Sequence, residues 1–423
     1  MSRTEPTALV ITRTWPDKPG EASHGIFQRL SIFLDALAGR FASVELLAFP
    51  PKSADTALFR QAYLEHLRSR FSPQVNLTTC HREPTPTVWP MYSRYLSNAF
   101  DVDQQDPYLA IATARHIEAV RSMLDRKPDL IFAHRLHAFT PLLPLLRHDM
   151  PPIAFDLDDI EHRALARTMI KAPLWPSERL RMLHVPAVMQ RERRAIRASA
   201  ASFVCSAVDA AHMRALSGRD TVFEIANTVP GPESAVARPA DQPGRMVGFV
   251  GSLMHPPNAD AIAWMIDEIW PLIRRSHPDA CLQIAGAGTQ TLNDQRRLPD
   301  GVEVVGFVDD LDAFYRRTDV ILAPLRYGAG TRVKLVEAAA FSAAIVTTKL
   351  GAEGLKLDCG RDLLLAEDAP QLAAATCRLL DDPDLRQSLG RAARLQYENE
   401  YARDRVVASV DAHFRQILDA RRG

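Results

Sequence analysis

The fold of this chain is decided by residues 324–340, which read PLRYGAGTRVKLVEAAA. An apolar strand, Asp319–Ala323, precedes this stretch, and a helix is predicted to begin at Thr331. The glycines between them let backbone amides approach a ligand closely, and a helix N-terminus presents unpaired N–H groups to an anion. Strand, glycine loop and helix in this order predict an α/β domain with a phosphate site.

Three charged side chains in this stretch need an explanation. Arg332 and Lys334 lie at the start of the predicted helix, where a cation acts against the helix dipole. Glu337 is the single carboxylate in the otherwise apolar run 335–341. Lys334 and Glu337 are three residues apart and share a helix face. They either form a solvated ion pair or point together into a ligand site.

Composition limits the classes of function. A chain of 423 residues is long enough for two domains, each with its own core. It carries 51 basic and 51 acidic residues, so nucleic acid is not expected as the main partner. The five cysteines are scattered without metal-site spacing, which favours a reducing compartment. We find no signal peptide and no apolar run long enough to span a membrane, so the expected location is cytoplasmic.

Strand and helix patterns alternate in both halves of the chain. Short apolar runs at 8–12 and 44–49 flank an amphipathic helix, which predicts a parallel sheet with helices on its faces. Region 51–125 reads as mostly helical. The expected parts are an N-terminal domain (1–229), a proline-rich linker (230–245), a second doubly wound domain (246–400) and a final helix (401–423) that packs back onto the first domain.

Polar residues follow several strands of the first half. Gly25, next to His24, follows the first strand, and His134 ends another. Three acids, Asp156, Asp158 and Asp159, end the strand that begins near residue 152. Such a group serves as a helix cap, a general base or a metal site. The cap is the commonest of these roles, and we expect no metal.

Residues 161–200 form a basic segment in a chain without net charge. Nine basic and three acidic residues give this segment a net charge of +6, and aliphatic residues lie between the arginines. The pattern suits an anionic membrane face or a lipid-phosphate substrate. A solvated helix that packs through its aliphatic side explains the pattern equally well.

Several motifs together resemble the GT-B glycosyltransferases, and retaining family 4 in particular. The resemblance is strongest over about 246–400. It rests on the two doubly wound Rossmann-like halves, on the linker and on these motifs: Phe249-Val250-Gly251-Ser252, Leu282–Gly288, Val305–Leu311, Ala226–Val229 and Glu337-Ala338-Ala339-Ala340.

The resemblance implies an enzyme with two domains facing across a cleft. It implies transfer of a sugar from a nucleotide-sugar to a glycan, polysaccharide or lipid-linked acceptor, with retention of configuration and without metal or cofactor. Glu337 would hold the ribose. The donor-binding residues implied are Gly25, Gly251, Ser252, Phe307, Gly330, Thr331, Arg332, Lys334 and Glu337. The catalytic candidates are Asp158, His134 and Lys334.

This sequence departs from the family pattern in three places. Ala329 stands where the family's E-x7-E motif has its other glutamate, the first of the two, which normally helps to position the sugar ring. The first loop of the nucleotide domain lacks its usual cations, so Arg332 and Lys334 are expected to neutralise the diphosphate instead. Asp158 stands where the family often has a histidine. The role of that histidine is then expected to fall to His134, to His24 or to neither.

The sequence is also compatible with two other functions on this scaffold. One is a nucleotide-sugar epimerase or hydrolase, because a fold alone does not select between reactions. Another is a degenerate GT-B module that binds a partner. For the transferase, residues 161–200 favour attachment to the inner face of the plasma membrane.

Overall fold

The computed structural model describes residues 5–16, 18–19, 25–83, 111–171, 178–234, 245–295, 297–308, 310–328 and 330–422. His24 and Ala329, and the part of the linker from 235 to 244, lie outside the described residues. The chain forms two compact units. The N-terminal unit comprises 1–169, 174–226 and 406–423, and the C-terminal unit comprises 170–173 and 227–405.

The N-terminal unit is built on a parallel sheet. Its seven strands lie in the order β3-β2-β1-β4-β5-β6-β7. The strands are β1 (Thr7–Thr12), β2 (Ser43–Ala48), β3 (Val75–Thr79), β4 (Leu130–His134), β5 (Ile153–Asp158), β6 (Ala201–Val204) and β7 (Val222–Glu224). The central strands β4 and β5 are buried along their whole length, as apolar strands of a sheet covered on both faces should be.

Helices cover both faces of this sheet. They are α1 (Gly25–Arg40), α2 (Ala57–Arg70), α3 (Ala114–Leu124), α4 (Arg135–Phe139), α5 (Glu161–Lys171), α6 (Val185–Ala198) and α7 (Ala207–Ser217). Short 3-10 turns span Lys52–Ala54, Thr140–Leu145 and Glu178–His184. The helical prediction for region 51–125 was wrong at β3, an edge strand of which only Val75 is buried. Such a strand has too few apolar residues to stand out.

The C-terminal unit repeats the architecture. Its six strands lie in the order β10-β9-β8-β11-β12-β13. They are β8 (Met246–Val250), β9 (Cys281–Ala285), β10 (Val302–Gly306), β11 (Val320–Ala323), β12 (Ala344–Thr347) and β13 (Leu364–Leu365). The pairs within this sheet are parallel, so the unit is doubly wound, as its alternating pattern predicts.

Helices of this unit, followed by the last helix of the chain, alternate with these strands. They are α8 (Pro256–Trp264), α9 (Trp270–Ser276), α10 (Leu292–Gln295), α11 (Leu311–Arg317), α12 (Val333–Ala340), α13 (Lys349–Ala352), α14 (Ala369–Asp381), α15 (Pro383–Gln396) and α16 (Arg403–Arg422). A 3-10 turn spans Thr289–Thr291, and π-helical turns span Met265–Ile269 and Tyr397–Tyr401. Within the described residues, no helix combines the length and apolar composition needed to cross a bilayer.

The last helix, α16, belongs to the N-terminal core. Phe414 is fully buried there, with its ring 6.4 Å from that of Phe33 and 6.2 Å from that of Phe132. Arg40 at the end of α1 pairs with Asp411 at 2.5 Å. This C-terminal helix therefore contributes apolar contacts and an ion pair to the first domain.

The strand order places the ligand-binding edge of each sheet. The order reverses between β1 and β4 in the first sheet, and between β8 and β11 in the second. Open α/β sheets bind ligands beyond the carboxyl ends of the strands at such a reversal. His134 ends β4 in the first sheet. In the second, Gly251 follows β8, and the Gly328–Gly330 loop follows β11.

Candidate functional site

The first loop of the C-terminal site depends on two glycines. A Cβ atom on Gly251 would lie only 2.8 Å from Lys334 Nζ and 2.8 Å from Asn258 Nδ2. Gly286 has φ +137°, and a Cβ there would overlap the carbonyl oxygen of Gly251. The backbone at the ends of β8 and β9 is therefore packed against a lysine ammonium without intervening side chains.

Lys334 is held in place from the opposite loop. Its Nζ donates a 2.6 Å hydrogen bond to Asn258 Oδ1 and lies 4.2 Å from the centre of the Phe249 ring. Asn258 in turn donates to the carbonyl of Ser252 at 3.0 Å. Burial, reinforced by Arg332, lowers the pKa of Lys334 to about 7, and Glu337 partly opposes this shift. An anion that binds beside this amine stabilises its protonated form.

Glu337 does not pair with Lys334, because its hydrogen-bond partner is Tyr315. Its Oε2 accepts a 3.0 Å hydrogen bond from the hydroxyl of Tyr315, whose buried ring stacks on Phe341 with centroids 4.6 Å apart. Burial raises the pKa of Glu337, although Tyr315 and Lys334 act to lower it. No ion pair joins Lys334 to Glu337 in the described part of the chain, so the ion-pair alternative is set aside.

Arg332 shapes the glycine loop. Its guanidinium donates to the carbonyl of Gly330 and, at 3.4 Å, to that of Gly328, and the residue is 7% exposed. Gly328 and Gly330 have φ +120° and +75°, a region that glycine adopts at little cost. Arg332 also lowers the pKa of His255, after burial and Lys334. Arg332 therefore binds the carbonyls on both sides of residue 329 and adds positive charge beside Lys334.

The structure brings most of the predicted donor residues of this unit together. Gly251, Ser252 and Lys334 are joined through Asn258, while Arg332 and Gly330 share a hydrogen bond. Thr331 lies between the last two. Phe307 follows β10 and is 59% exposed, with a side chain free to receive a flat group.

Sequence reasoning missed two partners in this site. They are Asn258, which binds Lys334, and Tyr315, which binds Glu337. They lie 76 and 22 residues from Lys334 and Glu337, respectively. A polar residue that faces a charge across such a distance leaves no local pattern, so only the fold reveals it.

Gly251→Ala is expected to destabilise the C-terminal unit by about 1–3 kcal/mol, because the new methyl group displaces the ends of Lys334 and Asn258. Chemical denaturation of the two proteins measures this change. Gly39→Ala is the matched control: it lies in α1 with nothing within 4 Å of a Cβ atom. Alanine there should be neutral or stabilising. An equally stable Gly251→Ala protein would refute the close packing.

A buried ion pair anchors the N-terminal site. The Arg29 guanidinium donates to both oxygens of Asp156 at 2.6–3.0 Å, and to the carbonyl of Ile225 at 2.8 Å. Arg29 and Asp156 are 1% and 0% exposed. Burial acts to lower the pKa of Arg29, but Asp156 and Asp158 outweigh it, so the net shift is upward. The pair links α1 to the end of β5.

His134 and Asp158 lie beside this pair. His134 Nδ1 is 3.1 Å from the Thr12 hydroxyl, and its Nε2 is 3.7 Å from Asp156. Asp158 is 3.2 Å from Arg29. Burial, then Arg135 and Arg29, hold the pKa of His134 well below its usual range, so the imidazole is neutral at pH 7. The structure thus brings the two N-terminal catalytic candidates around Arg29.

Two residues close to the Arg29 site have a strained backbone. Arg135 and Asp158 have φ +69° and +62°, which is uncommon for residues other than glycine. Each lies where a strand meets the following segment, and the register of β5 against β6 shifts at Asp158. Strain of this kind concentrates at functional sites. Gly25, by contrast, begins α1 with an exposed position and open space around it.

The helix-cap role expected of the acids is not filled by Asp156 or Asp158, which pair with Arg29. Glu192, from α6, accepts hydrogen bonds from the backbone N–H groups of Glu161 (2.7 Å) and His162 (3.3 Å) at the start of α5. Glu192 is fully buried and also contacts the His162 ring. The cap therefore comes from a distant helix, and Asp156 and Asp158 are left to bind Arg29.

Asp158, Asp159 and Cys205 could offer ligand atoms within 4.8 Å of one another. Because Asp158 is already paired with Arg29, this group does not resemble a free metal site.

The comparisons with known proteins agree with this architecture. Residues 244–382 match the family described as Glycosyl transferases group 1. A glycogen synthase of Mycobacterium tuberculosis is 34% identical over 177 residues, which cover 40% of this chain and 41% of that protein. This chain thus spans about two fifths of the length of that relative.

Solved structures match over nearly the whole chain. Sucrose-phosphate synthase from Thermosynechococcus elongatus has a TM-score of 0.71 at 16% identity and covers 99% of this chain and 100% of its own. Anabaena HepE, solved in complex with UDP and glucose, has a TM-score of 0.59 at 14% identity, covering 98% and 100%. The fold of the chain is GT-B, as its motifs predicted.

Proposed function

We propose that this chain, a GT-B protein whose residues 244–382 match the group 1 glycosyl transferases, is a retaining glycosyltransferase that uses a nucleotide-sugar. One observation carries the proposal. Lys334 reaches from α12 to the backbone of Gly251, while Glu337 lies one turn further along the same helix. A cation and a carboxylate so spaced suit the diphosphate and the ribose of one nucleotide.

The diphosphate would lie between the two loops. Lys334 supplies charge at the backbone of Gly251 and Ser252, while Gly330 and Thr331 lie just before the N-terminus of α12, where unpaired amides favour an anion. Arg332 adds positive potential from within its loop without leaving its carbonyl partners. The UDP bound in the Anabaena HepE structure supports a nucleoside diphosphate as the ligand class.

Glu337 would accept hydrogen bonds from the ribose hydroxyls. Tyr315 uses one of its two oxygens, which leaves the other for a sugar. Phe307 would receive the nucleobase on its exposed ring. The sugar-ring end of the site is the part in which Ala329 replaces the first glutamate of the family's E-x7-E motif.

Catalysis would come from charge and position rather than from a covalent step on the protein. Bond cleavage leaves a nucleoside diphosphate, and its developing charge is stabilised by a fixed ammonium in a water-poor site. Lys334 fits that role because Asn258 holds it in place and because burial has already removed most of its water. No metal or cofactor is required by this scheme. His134 and Asp158 are the proposed acceptor-side groups.

The acceptor is proposed to be a glycan or a lipid-linked sugar. Residues 161–200 carry exposed arginines at 179, 194 and 197 and an exposed Leu183 (44%), a combination that suits an anionic membrane face. The corresponding location is the cytoplasmic face of the plasma membrane.

A thermal-shift screen with UDP, GDP, ADP and their sugars tests the proposal and identifies the base. We expect one nucleotide series to raise Tm, because ligand that binds only the folded state stabilises it. Incubation of that nucleotide-sugar with candidate acceptors should then yield a glycosylated product whose anomeric configuration, read by NMR, matches the donor. Release of free sugar or of an epimer in the presence of acceptor would favour the hydrolase or epimerase. No stabilisation by any nucleotide would favour the binding module.

A further inference from the structure

A groove of about 630 Å³ lies at the amino ends of β5 and β6. Its walls come from residues 146–153, from 197–200 and from Arg219. The candidate groups Asp156 and Asp158 lie toward the other end of β5. Since a strand advances about 3.3 Å per residue, the groove is more than about 10 Å from Asp158 along that strand. It is therefore separate from the sites described above.

The charged or titratable side chains that line the groove are all of one sign. They are Arg147, His148, Arg197 and Arg219. Asp149 and Asp220 are sequence neighbours of two of them but do not line the groove. The whole chain has equal numbers of acidic and basic residues, so this concentration is local. Like charges gathered in one concave surface favour an anion.

Three of these four side chains lack partners among the described residues. Arg147, His148 and Arg219 are exposed and have no ion pair or side-chain hydrogen bond within the ranges that the structure describes. Arg197 donates through Nε to the carbonyl of Ser217 at 2.8 Å, which fixes its guanidinium beside Gly218.

Other surface arginines of this domain do have carboxylate partners. Arg70 is 3.0 Å from Asp35, and Arg126 is 2.7 Å from Glu45. The groove arginines, by contrast, have no carboxylate partner within the described residues.

The size and floor of the groove indicate what kind of anion it would take. Small-molecule pockets have volumes of about 300–1,000 Å³, so the groove accommodates more than a bare phosphate. Leu146, Met150, Pro152 and Ile153 are apolar members of the same lining and form what is called here the apolar floor. Arginine binds phosphate through two parallel N–H donors. A ligand with a phosphate head and a ring or chain behind it matches both features.

We propose that this groove is a second ligand site, which binds a phosphate-bearing molecule independently of the nucleotide-sugar site. Arg147, Arg197 and Arg219 hold the phosphate, and the apolar floor contacts the remainder. The phosphate belongs either to a small metabolite or to a lipid headgroup, since both present the same oxygens to the arginines.

Binding measurements on the full chain test this site. Glucose 6-phosphate and inorganic pyrophosphate are titrated by calorimetry, and vesicles of phosphatidylcholine with phosphatidylglycerol are tested by co-sedimentation. Each of Arg147→Ala and Arg219→Ala should weaken binding of the active probe about tenfold, the loss of one charge-assisted contact. Arg121→Ala is the matched control, because Arg121 is an exposed arginine on α3 that lies outside the groove and outside residues 161–200.

The probes separate the two sources of phosphate. Binding of a soluble probe that falls in the Arg147 and Arg219 variants, but not in Arg121→Ala or Lys334→Met, supports the site with a metabolite as ligand. Binding of the vesicles alone, lost in the Arg147→Ala/Arg219→Ala double variant, supports it with a lipid headgroup. The proposal is overturned if no probe binds saturably, if the groove variants bind as the wild type does, or if binding requires Lys334.

Discussion

Lys334→Met is expected to lower kcat/KM for the nucleotide-sugar about 100- to 1,000-fold, the usual range for losing one buried group that stabilises developing charge. Methionine keeps the length of the side chain but removes the charge that Asn258 places against Gly251. The measurement is the initial rate of sugar transfer over a range of donor concentrations.

Lys349→Met provides the matched control, because Lys349 is an exposed lysine of the same unit. Its kcat/KM should stay within about threefold of the wild type, a difference of less than 1 kcal/mol. Equal activity of Lys334→Met and Lys349→Met would show that the Lys334 charge has no part in transfer.

The same lysine makes donor affinity depend on pH. Its pKa in the free protein is lowered to about 7 by burial and Arg332, and only the protonated amine attracts a diphosphate. A bound anion raises the pKa, so binding above pH 7 takes up a proton. Affinity should therefore be full below pH 7 and fall by up to about tenfold per pH unit above it. Calorimetric titrations between pH 6 and 9 measure this, and Lys334→Arg, which stays charged, should abolish the slope.

Asp156→Asn is expected to cost about 3–5 kcal/mol of stability, because it leaves the Arg29 guanidinium buried without a carboxylate that accepts three of its hydrogen bonds. The readout is the unfolding transition of the N-terminal unit, followed by calorimetry. The double variant Arg29→Met/Asp156→Leu should recover part of the loss, because it removes both charges of the pair while Asp158 keeps Arg135 as a partner at 3.9 Å.

Asp35→Asn is the control for that prediction. Asp35 lies on α1, like Arg29, and pairs with Arg70 at 3.0 Å in an exposed position. Exposed pairs contribute about 0–1 kcal/mol, so this variant should unfold close to the wild type. If Asp156→Asn were no more damaging than Asp35→Asn, the buried pair would not be what anchors α1 to β5.

Local patterns were sufficient to predict the fold. Apolar strands such as β4, β5 and β11, which are buried along their whole length, stand out from any surrounding loop. Strand β3 was not predicted, because an edge strand with one buried residue has no continuous apolar run. Between α8 and α9 lies a π-helical turn at Met265–Ile269, a change in hydrogen-bond spacing that no residue type predicts.

The site was only partly predictable for a physical reason. Glu337 and Lys334 could be found because charge inside an apolar helix is locally conspicuous. Their partners, Tyr315 and Asn258, are ordinary residues in their own segments and matter only through contacts across the fold. The cap of α5 shows the same limit, since Glu192 reaches it from about 30 residues away.

The central claim is that Glu337 holds the ribose of a nucleotide bound beside Lys334. The direct measurement is a binding cycle: the nucleoside diphosphate identified by the screen and its 2′,3′-dideoxy analogue are each titrated into the wild type and into Glu337→Gln. Removing the hydroxyls should weaken binding to the wild type by about ten- to a hundredfold and binding to Glu337→Gln by much less, because the two changes delete the same hydrogen bonds. An equal loss of affinity in both proteins would contradict the assignment of Glu337 to the ribose.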